Sequence, residues 1–242
     1  LHRHAQHLVA AAEPDNDGSD PGSWSAWALL LPHLLALDPT TADQALRSTA
    51  CNALYYLLMR GQYHTALPLA DTWHQHWRDT HGPDHDHTLG AAHQLAIAHR
   101  LLGNYRQARE LDEDSLARER RAHGDDHPNT LASATCLAND LRALGEHAAA
   151  RVLNEDTLAR YRRVLGDDHP DTLISANNLA INLSSLGEHA AARVLDEDTL
   201  ARRRRVLGDD HPNTLSSASN LAVDLTNLGE HAAARVLDED TL

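Results

Sequence analysis

Leucines and alanines recur along most of this 242-residue chain at three- and four-residue spacing, and glycines interrupt them on a fixed beat. Leu131, Ala134, Ala138 and Leu141, joined by Leu137 and Leu144, draw a wide apolar stripe along a helix that Gly145 ends. A second stripe runs through Ala149, Val152, Leu153, Leu158, Ala159, Val164 and Leu165 and is closed by Gly166. The Asp125-Asp126-His127-Pro128 run marks the start of the first helix. Proline suits the first helical position, lacks an amide that would go unbonded there, and keeps the residue before it out of the helix. The pair of stripes returns every 42 residues: Gly61, Gly103, Gly145, Gly187 and Gly229 form one column, and Gly82, Gly124, Gly166 and Gly208 another. Two punctuating glycines per period give two helices per unit, A and B. The pattern predicts an all-α, right-handed superhelical solenoid of antiparallel helix pairs, each leaving an apolar face for the next pair to cover.

Five repeats are expected, at 41–81, 82–123, 124–165, 166–207 and 208–242, behind an N-terminal helical segment and linker at 1–40. Within that segment, 1–12 reads as a short helix, 13–23 as a linker carrying Pro14, Gly18, Pro21 and Gly22, and 24–37 as an apolar helix whose Trp24 and Trp27 cap the open end of repeat one. The fifth copy stops at Leu242, where the fourth continues past its matching Leu200 to Leu207. A fragment of a longer protein is therefore expected. On helix B, acids precede arginines by four residues at Asp114/Arg118, Asp156/Arg160 and Asp198/Arg202, the favoured order for a surface pair.

Composition narrows the function. With 35 acidic against 21 basic residues and a net charge of −14, the chain does not read as a nucleic-acid binder. Every basic residue is arginine, so neither a phosphate-loop lysine nor a Schiff base is available. The absence of Phe and the 4% aromatic content would leave a globular core thin, whereas stacked helices pack on small side chains. Cys51 and Cys136 fall in predicted helices of different repeats as small buried thiols, which fits a reducing cytosol. The apolar stretch 26–37 is interrupted by Pro32 and His33 and is too short to span a bilayer. A cytoplasmic location is expected.

Asn178-Leu179-Ala180, Gly187, Ala192 and Leu200, with Tyr63 and Tyr105 in earlier turns, resemble the signature of the tetratricopeptide repeat. The 42-residue step and the Leu-Gly-Asp-Asp-His-Pro junction are similar to its kinesin light chain subtype. One departure stands out: where the family usually has a large aromatic in helix B, this chain has Asp112, Asn154, Asp196 and Asp238. The segment before the array, with Leu1-His2-Arg3, an acidic linker and Trp24 through Leu37, resembles the junction preceding such arrays in actinobacterial NB-ARC-type signalling ATPases. That resemblance implies a bacterial sensor or docking arm of a larger signalling NTPase.

Repeats three and four differ at ten of 42 positions, and seven of these lie in the body of helix A: Ala132, Thr135, Cys136, Asn139, Asp140, Arg142 and Ala143 against Ile174, Asn177, Asn178, Ile181, Asn182, Ser184 and Ser185. Their spacing traces a helical stripe. Helix B keeps its exposed Asp-Glu-Asp and arginines nearly unchanged between copies, so exposure alone does not predict where the differences fall. In the family that this chain resembles, A helices line a concave peptide-binding groove, and the stripe matches its positions. The candidate groove residues are His93, Ile97, Arg100, Thr135, Asn139 and Arg142 in the N-terminal half, and Asn177, Asn178, Ile181, Ser184, Ser219, Asn220, Val223 and Thr226 in the C-terminal half. Guanidinium forks suit carboxylates and asparagine amides suit an extended backbone, so a peptide or protein ligand is expected, with an acidic group or C-terminal carboxylate near Arg100 and Arg142.

Nineteen histidines invite a metal reading. His85, His127, His169 and His211 recur before helix A, and His147, His189 and His231 recur in the turn, which marks them as scaffold, serving as a cap or in an interhelical hydrogen bond. The cluster of His81, Asp84, His85, Asp86 and His87 lacks helical metal spacing. The Asp125-Asp126, Asp167-Asp168 and Asp209-Asp210 pairs are expected to cap helices. No catalytic residue, metal site or cofactor is assigned, and a non-enzymatic interaction module is expected. The alternative is an assembly module that self-associates through its C-terminal end, and the weakest reading is a metal-dependent hydrolase on the histidine cluster.

Overall fold

The computed structural model of the chain describes residues 2–14, 18 and 20–239; the side chains of Asp238 and Glu239 lie outside the described residues, as does Leu1. Among the described residues there are twelve α-helices and no strand, and no helix is long and apolar enough to cross a membrane. The chain forms two compact units, Leu1–Ala122 and His123–Leu242.

The first unit holds α1 (His2–Ala11), α2 (Trp24–Ala36), α3 (Gln44–Met59), α4 (Tyr63–His81), α5 (Asp86–Leu101) and most of α6 (Tyr105–His123). Its core is aromatic: Trp27, Tyr56, Trp73 and Trp77 are buried among Leu30, Leu34, Leu46, Leu54 and Leu57. Trp27 stacks on Tyr56 at 5.8 Å between ring centroids, and the buried Trp77 Nε1 donates to Pro39 O at 3.2 Å. Trp24 and Trp27 thus sit on a helix packed against α3, as the N-terminal segment requires if its apolar side chains are to leave water. The described part of the linker is also bound to repeat one. Thr49 Oγ1 donates to Glu13 Oε2 at 2.7 Å, Trp24 Nε1 donates to Gly18 O at 3.0 Å, and a Cβ on Gly18 would lie 2.6 Å from Tyr56 Cα. Only glycine permits that approach. Both cysteines are free, and burial, with the nearby charge of Glu13, pushes the Cys51 thiol up to about 12.

The second unit holds α7 (Pro128–Ala143), α8 (His147–Leu165), α9 (Pro170–Ser185), α10 (His189–Leu207), α11 (Pro212–Asn227) and α12 (His231–Glu239). The odd-numbered helices are the A helices and the even-numbered ones the B helices, and each packs on the next. Leu158, Ala176, Leu179, Leu183 and Ala192 form one buried cluster; Leu200, Ala218, Leu221, Ala222, Leu225 and Ala234 form another. Five members of each occupy the same columns, 42 residues apart. The turns follow from glycine. At φ 79° Gly145 adopts the left-handed conformation open to it, letting Glu146 N–H reach back to Leu141 O at 2.8 Å and close helix α7.

The junctions before α7, α9 and α11 correct one expectation. The cap is histidine: the ring Nδ1 of His127, His169 and His211 accepts the backbone N–H of Asn129, Asp171 and Asn213 at 3.3, 3.2 and 3.1 Å. The aspartates instead meet helix-B arginines, Asp126 with Arg160 and Arg163, and Asp168 with Arg202 and Arg205. The pairs at four-residue spacing form as well, at 2.7 Å for Arg118–Asp114 and Arg160–Asp156 and 2.8 Å for Arg202–Asp198.

Candidate functional site

The A helices place the sequence-chosen residues unevenly. On α5, Ile97 packs against the tryptophan-rich core, and burial pulls the His93 imidazole below its ordinary value. Arg100 Nη2 lies 2.6 Å from Asp112 Oδ2, and the guanidinium of Arg100, with a side chain only 19% exposed, is held by a carboxylate of its own chain. Its expected role as a dock for a ligand carboxylate is therefore taken by Asp112. On α7, Thr135 Oγ1 donates to Leu131 O at 2.9 Å beside Tyr161, whose hydroxyl burial pushes up to about 12, while Asn139 and Arg142 are half-buried.

The clearest grouping is on α9 and α11. Ile181, Ser184, Asn220 and Val223 line one cavity of about 240 Å³, and Ser219, Val223 and Thr226 line another of about 300 Å³. Val223 is 56% exposed between them. Asn177 and Asn220 are coupled, Asn220 Nδ2 donating to Asn177 Oδ1 at 3.1 Å, and Asn178 is half-buried next to them in sequence. Buried Arg203 from α10 reinforces the pair: its Nη1 donates to Ser217 Oγ at 2.7 Å and Asn213 O at 2.8 Å, with Asn177 Oδ1 at 3.4 Å. Burial lowers the Arg203 pKa from its usual value.

The first cavity reaches one residue from each of two polar columns that the sequence reading did not select. Asp140, Asn182 and Asp224 share one helix-A column and are all buried; Asp112, Asn154 and Asp196 share one helix-B column and are buried too. The variable stripe thus includes a column turned away from solvent, where neutral exposure cannot explain the changes. Asp196 and Asp224 both line the 240 Å³ cavity, with His189. Ser184 Oγ donates to Asp224 Oδ1 at 2.6 Å, and His189 Nδ1 stands 3.0 Å from the same oxygen. Burial and then the adjacent Asp224 raise the Asp196 carboxyl to about 7. Two signals in the sequence bear on these residues: the missing helix-B aromatic, and the step from Asp to Asn to Asp at 140, 182 and 224.

The histidine cluster has other occupations. His81 Nε2 meets Arg47 Nη1 at 3.0 Å, His85 caps α5 by accepting His87 N–H at 3.2 Å, and His87 is buried, its pKa lowered to about 4 chiefly by desolvation.

The tetratricopeptide repeat profile matches residues 46–118, 91–151, 130–204 and 185–242, well over half of the chain. No curated protein matches the sequence. Among solved structures, nearly identical TPR-like repeats from Podosopora anserina, described as of kinesin light chain, are 28% identical, with a TM-score of 0.71 over 84% of this chain and 93% of that one. BtubC (BKLC) from P. vanneervenii shares the fold at 18% identity, with a TM-score of 0.70 over 98% of this chain and 89% of that one. NprR in complex with its cognate peptide NprX does so at 14% identity, with a TM-score of 0.67 over 99% of this chain and 66% of that one. The stacked helix pairs, the glycine turns and the matched profile make this chain a member of the tetratricopeptide repeat family, with repeats of the kinesin light chain-like kind.

Proposed function

We propose that the chain is a non-enzymatic protein-interaction module whose second unit holds a peptide segment against the exposed faces of α7, α9 and α11. The observation that carries this reading is the pair of cavities on α9 and α11, lined by Ile181, Ser184, Ser219, Asn220, Val223 and Thr226, six residues that variation between repeats had singled out. Side-chain hydroxyls and amides beside Ile181 and Val223 offer an extended backbone both hydrogen bonds and apolar contact. NprR in complex with its cognate peptide NprX, and the Rap protein complexed with Competence and Sporulation Factor, share the fold and support the same use here. A ligand's acidic group would turn to Arg142, since Arg100 is engaged by Asp112. The N-terminal segment's resemblance to NB-ARC-type junctions supports a place as the sensor arm of a larger cytoplasmic NTPase.

Peptides selected from a displayed library on the purified chain provide the test. Titration of a selected peptide should weaken about tenfold with Asn178→Ala or Arg142→Ala, the scale of a buried binding contact. Arg162→Ala, on the exposed face of α8, should leave affinity unchanged. Equal losses for all three variants would sink the reading.

A further inference from the structure

Repeats two and four keep the same acid and differ in what neutralises it. In repeat two, Asp112 is 1% exposed and receives Arg100 at 2.6 Å. In repeat four those columns hold Asp196 and Ser184, so the carboxyl remains while its cation has been replaced by a hydroxyl. Asp196 is also 1% exposed, and neither of its oxygens receives a hydrogen bond. Ser184 does not fill the role, because its hydroxyl goes to Asp224. Arg203, whose charge acts on Asp196 from the same helix, gives its donors to Ser217 Oγ, Asn213 O and Leu173 O. A buried acid without a donor is costly, and a second one beside it costs more. The two carboxyls open into the cavity of about 240 Å³, flanked by Ile181 and Val223. That volume suits one side chain; pockets for whole small ligands run from roughly 300 to 1,000 Å³.

We propose that this cavity is a cation subsite, which takes the guanidinium or ammonium of a basic side chain on a bound peptide and seats it against Asp196 and Asp224, as Arg100 is seated against Asp112. The subsite rests on the reading of α9 and α11 as a peptide-binding face. It adds a polarity: the peptide presents a positive residue at repeat four. When the cation is absent, the raised Asp196 carboxyl keeps its proton and can donate it; when the cation enters, that proton leaves.

The test uses two blocked peptides, acetyl-Ala-Ala-Arg-Ala-Ala amide and its citrulline counterpart, which keeps the shape and removes the charge. In amide-resolved NMR titrations the arginine peptide should shift Ser184, Asn220 and Val223 and bind at least about tenfold more tightly than the citrulline peptide, as a charge-assisted pair requires. Affinity should fall about tenfold from pH 8 to pH 6, because the proton on Asp196 competes with the cation. Asp224 from α11, with Arg203 and His189 on α10, are the charged and titratable groups bearing on the site. Ser184→Arg supplies from within the guanidinium that repeat two already has, and should abolish arginine-peptide binding while the melting temperature holds or rises. Equal affinity for the two peptides, no shift with the arginine peptide, or undiminished binding by Ser184→Arg would each overturn the proposal. If both peptides bind equally and both shift the α9 and α11 amides, the cation subsite fails while the peptide face stands; shifts confined to the B helices remove the face itself.

Discussion

The two units bury their helices by different means. In the first, Trp27, Tyr56, Trp73 and Trp77 interlock with leucines from five helices, and none of these four aromatic rings recurs 42 residues on. In the second, Leu179 and Leu221, Ala176 and Ala218, and Leu158 and Leu200 do the same work at fixed intervals. An irregular aromatic core defines one place in the chain, whereas a periodic Leu/Ala core defines a spacing and is satisfied wherever the spacing is kept. Polar burial follows the same divide: the first unit closes Asp112 with Arg100, and the second leaves Asp196 without a donor.

Substitutions should separate the two kinds of core. Trp77→Ala removes a buried ring and its hydrogen bond to Pro39, and should cost about 3–5 kcal/mol. All four tryptophans lie in the first unit, so fluorescence follows that unit while far-ultraviolet circular dichroism follows every helix. A denaturation midpoint lowered in fluorescence more than in dichroism is expected; equal shifts would show that the two cores unfold as one. Leu179→Ala should cost about 2–4 kcal/mol and appear chiefly in the dichroism signal.

Next in size is an effect of pH. Asp196 titrates near 7 in the fold against about 4 in the unfolded chain, so the native state holds its proton more tightly. Its contribution to stability is complete below about pH 4 and is lost as pH rises through 7. Asp196→Asn, the residue that repeat three carries at Asn154, should flatten that slope and stabilise the fold at pH 8 by on the order of 2 kcal/mol. Urea midpoints measured from pH 4 to 8 would check it, and an unchanged slope would count against the buried acid. The smallest effect is expected from Arg202→Ala, which breaks exposed pairs to Asp168 and Asp198 and should cost about 0.5 kcal/mol, less in high salt.

What was legible in the sequence follows from what is local. Pro128, Pro170 and Pro212 do begin their helices, and the glycine columns do turn the chain, because both act through their own backbone. The periodic histidines were recognisable as scaffold, yet the choice between His127 and Asp126 as cap depended on arginines more than thirty residues away. Arg160 and Arg163 draw Asp126 to helix B and leave the amide of Asn129 to the imidazole. Tertiary pairing also hid the acid pair. Asp196 and Asp224 lie 28 residues apart on helices of successive repeats, and only the stacking of α10 on α11 brings them together. For Arg100 the sequence indicated a column and a charge; that its fork would close on Asp112, one helix later, needed the turn geometry between α5 and α6.

The recurrence of the same five buried columns from one helix pair to the next has a consequence for inheritance. A face built from Leu158, Ala176, Leu179, Leu183 and Ala192 is matched by the one built from Leu200, Ala218, Leu221, Leu225 and Ala234. A gene rearrangement that added or removed one 42-residue segment would therefore join surfaces that already fit. Copy number can drift without relearning how to fold, and each new copy brings its own A-helix column to be altered independently.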